Sequence, residues 1–115
     1  MMATTRCANN DARRYVNKRE EFMNNNSTMY AHTIASTTGT DLYLVFSYGS
    51  HFPMYIAEEH EGHVNWYGNM DKYRITTTNH QSLCRPEADI TWFDTNNMLV
   101  LMNYGITGLA AGKSI

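Results

Sequence analysis

The sequence predicts a single α+β domain, a largely antiparallel sheet of five or six strands carrying one or two short helices. Three observations lead there. Leu42 to Tyr48 alternates with a period of two: Leu42, Leu44, Phe46 and Tyr48 share one face, and Tyr43, Val45 and Ser47 the other. Apolar residues on both faces mark a central strand. Turn chemistry at Gly49-Ser50-His51 and at Glu61-Gly62 then sends the chain back on itself twice. The aromatic share of 12%, dominated by eight tyrosines, suits a sheet whose surface is partly apolar.

The chain's 115 residues are enough to bury one core without disulfides or a structural metal. Residues 1–11 are polar and are expected to be flexible, residues 12–105 to form the domain, and residues 106–115 a loose tail. From Ala12 to Met23 two readings stay open, a short helix capped by Asn10 or an irregular edge strand. Asn24-Asn25-Asn26-Ser27 ends that segment in turn residues. Thr28 to Ala35 is rich in β-branched and aromatic residues and reads as a strand. After Tyr48, Phe52 to Glu58 returns with Phe52, Met54 and Ile56 on one face, and Pro53 belongs at its start or on a free edge. Val64 to Tyr67 follows the hairpin tip. Thr78 and Gln81 have capping-box spacing, predicting a helix from Thr78 to about Cys84, ended by Pro86. Ile90–Phe93 and Met98–Tyr104 read as a hairpin across Asp94-Thr95-Asn96-Asn97. Leu44, Phe46, Met54, Ile56, Trp66, Val100 and Met102 are the expected residues of one core.

The net charge of −2 lacks the basic face that generic nucleic-acid binding requires. No apolar run approaches the roughly 20 residues of a membrane span. The opening Met1-Met2-Ala3-Thr4 lacks the apolar core of a secretion signal, so the cytoplasm is the expected location and both cysteines, Cys7 and Cys84, are expected as reduced thiols.

The chemistry concentrates between Val64 and Pro86. Trp66, Tyr67, Tyr73, Arg74, Thr77, His80, Gln81 and Arg85 could form a ligand or partner site, aromatics stacking on a ring and cations holding anionic groups. Period-two geometry puts Trp66 and Tyr67 on opposite faces, predicting one in the core and the other outside. The same residues also read as scaffold: Trp66 in the core, Asn69 and Asp71 tying a turn, Thr78 capping, Arg85 paired with a carboxylate. Tyr48, His51 and Tyr55 form a second candidate patch around one hairpin. His60-x-x-His63 among glutamates suggests a metal, but a solvated hairpin tip with no further Cys or His ligands argues against one. No nucleophile elbow, phosphate-binding loop or helical zinc motif is present, and no cofactor or metal is expected.

Leu44-Val-Phe-Ser-Tyr-Gly-Ser-His-Phe-Pro-Met-Tyr55, Trp66-Tyr-Gly-Asn69, Asp71-Lys-Tyr73, Thr76-Thr77, His80-Gln-Ser82 and Arg85-Pro86 resemble a family of small bacteriophage proteins. That family shares a Tyr-Ser-Tyr-Gly-x-His-Phe/Tyr-Pro hairpin and a Trp-Tyr-Gly-Asn-x-Asp-Lys-Tyr-x-x-Thr-Thr-x-x-His-Gln-Ser box ending in Arg-Pro. The likeness covers roughly residues 16–86, with Arg74 and Asn79 departing from its pattern and 58–63 standing as a local insertion. It implies a phage origin and carries no activity. The expectation is a non-enzymatic host-takeover or anti-defence protein that binds a host protein or sequesters a nucleotide-like anion. The alternatives are a small nucleic-acid-processing or nucleotide-hydrolysing enzyme using Arg74, His80 and Arg85, and a minor virion component.

Overall fold

The computed structural model describes residues 5–35, 41–49, 52–60, 62–72 and 75–113, with backbone alone at Ala35, His60 and 75–77. Seven strands form one sheet in sequence order: β1 (Arg6–Cys7), β2 (Phe22–Asn24), β3 (Met29–Ala35), β4 (Asp41–Ser47), β5 (Pro53–His60), β6 (His63–Asn69) and β7 (Ile90–Phe93). Three helices accompany them: α1 (Ala12–Asn17), α2 (Ile75–Cys84) and α3 (Thr95–Ala110). The α+β class holds, but the described residues form seven strands and three α-helices where five or six strands and one or two short helices were expected, and the sheet is mixed. The four inner pairings are antiparallel, whereas β1–β2 and β6–β7 are parallel. Parallel neighbours need a crossover, and α1 and α2 supply the two.

Each face of the sheet has its own core, in place of the one expected. On the first face Ala12 and Val16 of α1 and Cys84 of α2 pack on Phe22, Met29, Tyr43, Val45, Met54, Tyr55 and Trp66. On the second, Met98 and Leu101 of α3 pack on Leu42, Leu44, Phe46, Ile56 and Tyr67. Trp66 and Tyr67 do point to opposite faces, yet they are only 8% and 6% exposed, because helices cover both sides. The expectation that one would lie outside is therefore corrected. Between β4 and β5 the register slips, Val45 pairing with Tyr55 but Phe46 with Pro53. That bulge lets Met54 and Tyr55 join the same core and puts Pro53 at the strand start.

Met98–Tyr104 is the main correction. It is helix, not strand. A short run of continuous apolar residues fits either state, and the deciding signal lies just before it. Asp94 is the N-cap, its carboxylate accepting the Asn97 N–H at 2.9 Å. The helix breaks at Gly105 (φ 70°, ψ −178°), where the Ile106 N–H donates to the buried Glu58 carboxylate at 3.0 Å. Residues 106–110, expected in a loose tail, are helical. They end in a Schellman motif around Gly112 (φ 81°), with Lys113 N–H on the Gly108 carbonyl. At the other end, Arg6–Cys7 is a strand and Cys7 is buried. The 12–23 segment resolves into both of its readings, a short helix and then β2; Asn10 does not cap it. α2 begins before Thr78, which lies inside the helix and is not its cap.

Among the described residues no helix is long and apolar enough to cross a membrane. Phe46 is 1% exposed at the centre of the second core. Phe46→Ala is expected to lower the unfolding free energy by about 3–5 kcal/mol, measured by urea denaturation with an unchanged m-value.

Candidate functional site

The 64–86 stretch is the fastening of α2 to the sheet. α2 has no strong apolar stripe, and polar contacts hold it. His80 is 3% exposed, with Nδ1 2.8 Å from the Ser47 Oγ of β4. Gln81, also buried, donates from Nε2 to the carbonyls of Asn69 (2.9 Å) and Asp71 (3.2 Å). The Tyr55 hydroxyl donates to the Gln81 carbonyl at 2.6 Å. At the helix C-terminus Arg13 of α1 donates to the carbonyls of Ser82 (2.7 Å) and Arg85 (3.0 Å), satisfying groups the helix cannot. Asn17 of α1 receives the Glu87 N–H and donates to its carboxylate, clamping the loop that follows.

Asn69 joins these pieces. It is fully buried, and its side-chain amide donates to the Pro53 carbonyl (3.0 Å) and to Thr95 Oγ1 (3.1 Å). Its side-chain oxygen accepts the Asp71 N–H at 2.9 Å. The Asp71 carboxylate in turn accepts the Thr95 N–H at 2.8 Å, at the start of α3, and this bond holds its pKa below the ordinary 3.8.

The two candidate patches prove to be one region. Tyr48 of the second patch stacks on His80 of the first, centroids 5.6 Å apart, and Tyr55 bonds to Gln81. What reaches solvent lies at the region's ends. Tyr48 is 50% exposed. Arg85 is exposed and lies over the Trp92 ring at 5.4 Å from its centroid; among the described residues it forms no ion pair, contrary to the expected carboxylate. Trp92 packs edge-on to Tyr55 at 6.3 Å, stays 37% exposed, and covers Gly68, where a Cβ would lie 2.6 Å from the ring. Trp66, Tyr67, Tyr55, His80 and Gln81 are buried. Tyr73, Arg74 and His51 lie outside the described residues, as do the side chains of Thr77 and His60. From the sequence neither Trp92 nor Ser47 was placed in a site. The second tryptophan of a chain with only two was the available signal for Trp92; Ser47 gave none.

The electrostatics follow burial. Desolvation pushes the Cys84 thiol and the Tyr43 and Tyr55 hydroxyls up, and Tyr67, with Glu58 adding to the effect, up to about 12. Both cysteines are free and buried, so neither is an activated nucleophile. Desolvation also lowers the His80 pKa. The Ser47–His80 distance would allow proton exchange, but the neighbouring amides are engaged. The Tyr48 N–H donates to the Thr28 carbonyl at 2.8 Å and the Ser47 N–H to Phe52 at 3.5 Å, so neither is aimed at a developing oxyanion. The pair is a clasp between β4 and α2. No group of three metal-ligating side chains occurs among the described residues. No family model, curated protein or solved structure matches the chain.

Two outcomes test the clasp. Asn69→Ala leaves the buried Pro53 carbonyl and the part-buried Thr95 hydroxyl and Asp71 N–H without their side-chain partner, and is expected to lower stability by about 2–3 kcal/mol, read by thermal and urea melts. For His80 the folded pKa lies below the ordinary 6.5, so the unfolded chain binds the proton more readily. Stability is complete above pH 6.5 and declines as pH falls from there toward the depressed folded value. Urea melts across that window should show this decline in the wild type and a flatter profile in His80→Gln; equal slopes would remove His80 as its source.

Proposed function

We propose that the chain is a small non-enzymatic binding protein of phage origin that engages a host protein through the surface carrying Tyr48, Arg85 and Trp92. The observation that carries this reading is Tyr48. A tyrosine at φ 61° occupies the left-handed region, which disfavours bulky side chains, and it does so with half its surface exposed. Its backbone is held there by its N–H bond to Thr28, and its ring is set on His80. A glycine would take this conformation more cheaply, so the exposed ring is what the strain supports. At the other end of the region Trp92 and Arg85 form an exposed stacked pair. Tyr, Trp and Arg are the residue types that dominate protein–protein hot spots, and all three are pre-positioned by the buried clasp. Recognition residues mounted on a rigid base lose little freedom on binding.

The reading also rests on the resemblance to small phage proteins, which implies a phage origin; host takeover or interference with host defence is the biological role we propose for a binding protein of that origin. Among the described residues of the central box, His80 and Gln81 are buried within the clasp and Arg85 lies over Trp92, which favours a protein partner over a sequestered nucleotide-like anion. Arg85→Ala and Tyr48→Ala are expected to melt within a few degrees of the wild type, since an exposed cation–π pair contributes only about 0.5–1 kcal/mol. Each should weaken partner binding by about 2 kcal/mol or more, roughly thirtyfold. The test is affinity capture from infected-host lysate with all three proteins. One host protein retained by the wild type and lost from both folded variants supports the reading, whereas equal retention moves the contact surface elsewhere.

A further inference from the structure

A second feature lies on the same face as α1 and α2, at the end of the sheet they leave uncovered. Thr33, Tyr43, Ala57 and Trp66 are successive partners across β3, β4, β5 and β6. The next row outward on this face carries Asp41 and Glu59: Leu42 pairs with Glu58 and Tyr43 with Ala57, so the same register sets Asp41 opposite Glu59. The turn from α1 into β2 overhangs this shelf, and the Tyr43 hydroxyl donates to its Glu20 carbonyl at 2.8 Å. The result is a cleft of about 550 Å³ lined by Lys18, Arg19, Asp41, Tyr43 and Glu59 among others.

Two placements in this cleft work against stability. Arg19 ends α1 in a Schellman motif, with its own N–H on the Val16 carbonyl and the Glu20 N–H on the Tyr15 carbonyl. It occupies the left-handed C′ position at φ 54°, where glycine is the favoured residue. Asp41 and Glu59 are like charges directly opposite on antiparallel strands, which is unfavourable. Among the described residues no ion pair joins Lys18 or Arg19 to Asp41 or Glu59. Glu21, the neighbouring carboxylate, is engaged by the Thr33 N–H. Two independent departures from local preference thus converge on one cavity, a pattern expected where side chains are kept for binding.

We infer that this cleft binds a small zwitterionic molecule of amino-acid or dipeptide size, its anionic groups on Lys18 and Arg19 and its cationic groups on Asp41 and Glu59. The charge layout favours this class over a simple anion or cation, because either alone would meet one favourable wall and one repulsive wall. An aromatic and alanine floor suits the short apolar stem between the charged ends. The site is separate from the Tyr48–Trp92 surface and does not depend on the reading given for it.

The probe is the dipeptide lysyl-glutamate, which carries two ammonium and two carboxylate groups, titrated at millimolar concentration against the ¹⁵N-labelled protein. Acetate and methylammonium serve as single-charge controls. Saturating amide shifts at Thr33, Tyr43, Ala57 and Gly62 are expected with the dipeptide and not with either control. Arg19→Gly is expected to raise the melting temperature while weakening the dipeptide roughly tenfold, and Glu59→Gln to weaken it without lowering the melting temperature. A merely structural Arg19 would give the stability gain with binding intact. Absence of shifts with the dipeptide, equal shifts with a control, or unchanged affinity in both variants would overturn the inference.

Discussion

The structure depends on one buried amide. Asn69 ends β6 and is fully excluded from solvent, where an unpaired polar side chain would be strongly unfavourable. Its side-chain bonds run to β5 through Pro53, to the following loop through Asp71 and to α3 through Thr95, while its main-chain carbonyl accepts the Gln81 amide of α2. The two helical layers lie on opposite faces of the sheet and share no core, so apolar packing cannot set one relative to the other. A residue at a strand end can reach both, its side-chain amide bonding to α3 and its main-chain carbonyl to α2. Asn24 plays the corresponding part at the turn into β3. Its oxygen accepts the N–H groups of Thr28 and Met29 while its amide donates to Asn9 and Thr28.

This explains how much was legible in the sequence. β4 and β6 were readable because period-two alternation survives in a strand buried on both faces when aromatic and β-branched residues fill it; β5 was read as a strand, but its bulge sets Phe52 and Met54 in one core and Ile56 in the other, not on the one face expected. The β5–β6 hairpin was readable because Gly62, at φ 80°, supplies the left-handed turn position. The outer pairings were not. Ile90–Phe93 was read as a strand and is β7, but its partner is β6 and not residues 98–104; both β1 and β7 pair in parallel, and parallel pairing leaves no turn residue between the partners to announce it. β1 is only Arg6–Cys7, too short for any period. α3 was misread because Met98 to Met102 is apolar at every position, which removes both periodicities at once. Asp94 held the decisive information in a single capping side chain.

The candidate site was legible as a concentration of chemistry, not as a geometry. Trp-Tyr-Gly-Asn looked like ligand-binding vocabulary, and each of its residues has a structural task. Trp66 and Tyr67 face the two cores, Gly68 makes room for the Trp92 ring, and Asn69 ties the layers. His80-Gln81 is the other half of the same clasp. No spacing rule could have found Ser47 or Trp92 as partners, since their contacts with His80 and Tyr55 cross distant parts of the chain.

A helix fastened by polar groups behaves differently from one seated on an apolar stripe. Burial energy falls gradually as a contact loosens, but each hydrogen bond to α2 is directional, and its loss strands a buried group. Gln81 already shows the limit of this arrangement: its Oε1 is buried with no hydrogen-bond partner among the described residues. The position is fixed within narrow bounds, and Tyr48 and Arg85, which take their settings from His80 and from the helix end, inherit that rigidity. A surface whose contact residues are poised in this way meets a partner with its entropy of ordering already lost in folding. The polar clasp thus connects the two levels of the molecule, since the groups that make α2 costly to dislodge are those that hold its exposed aromatic and cationic neighbours in place.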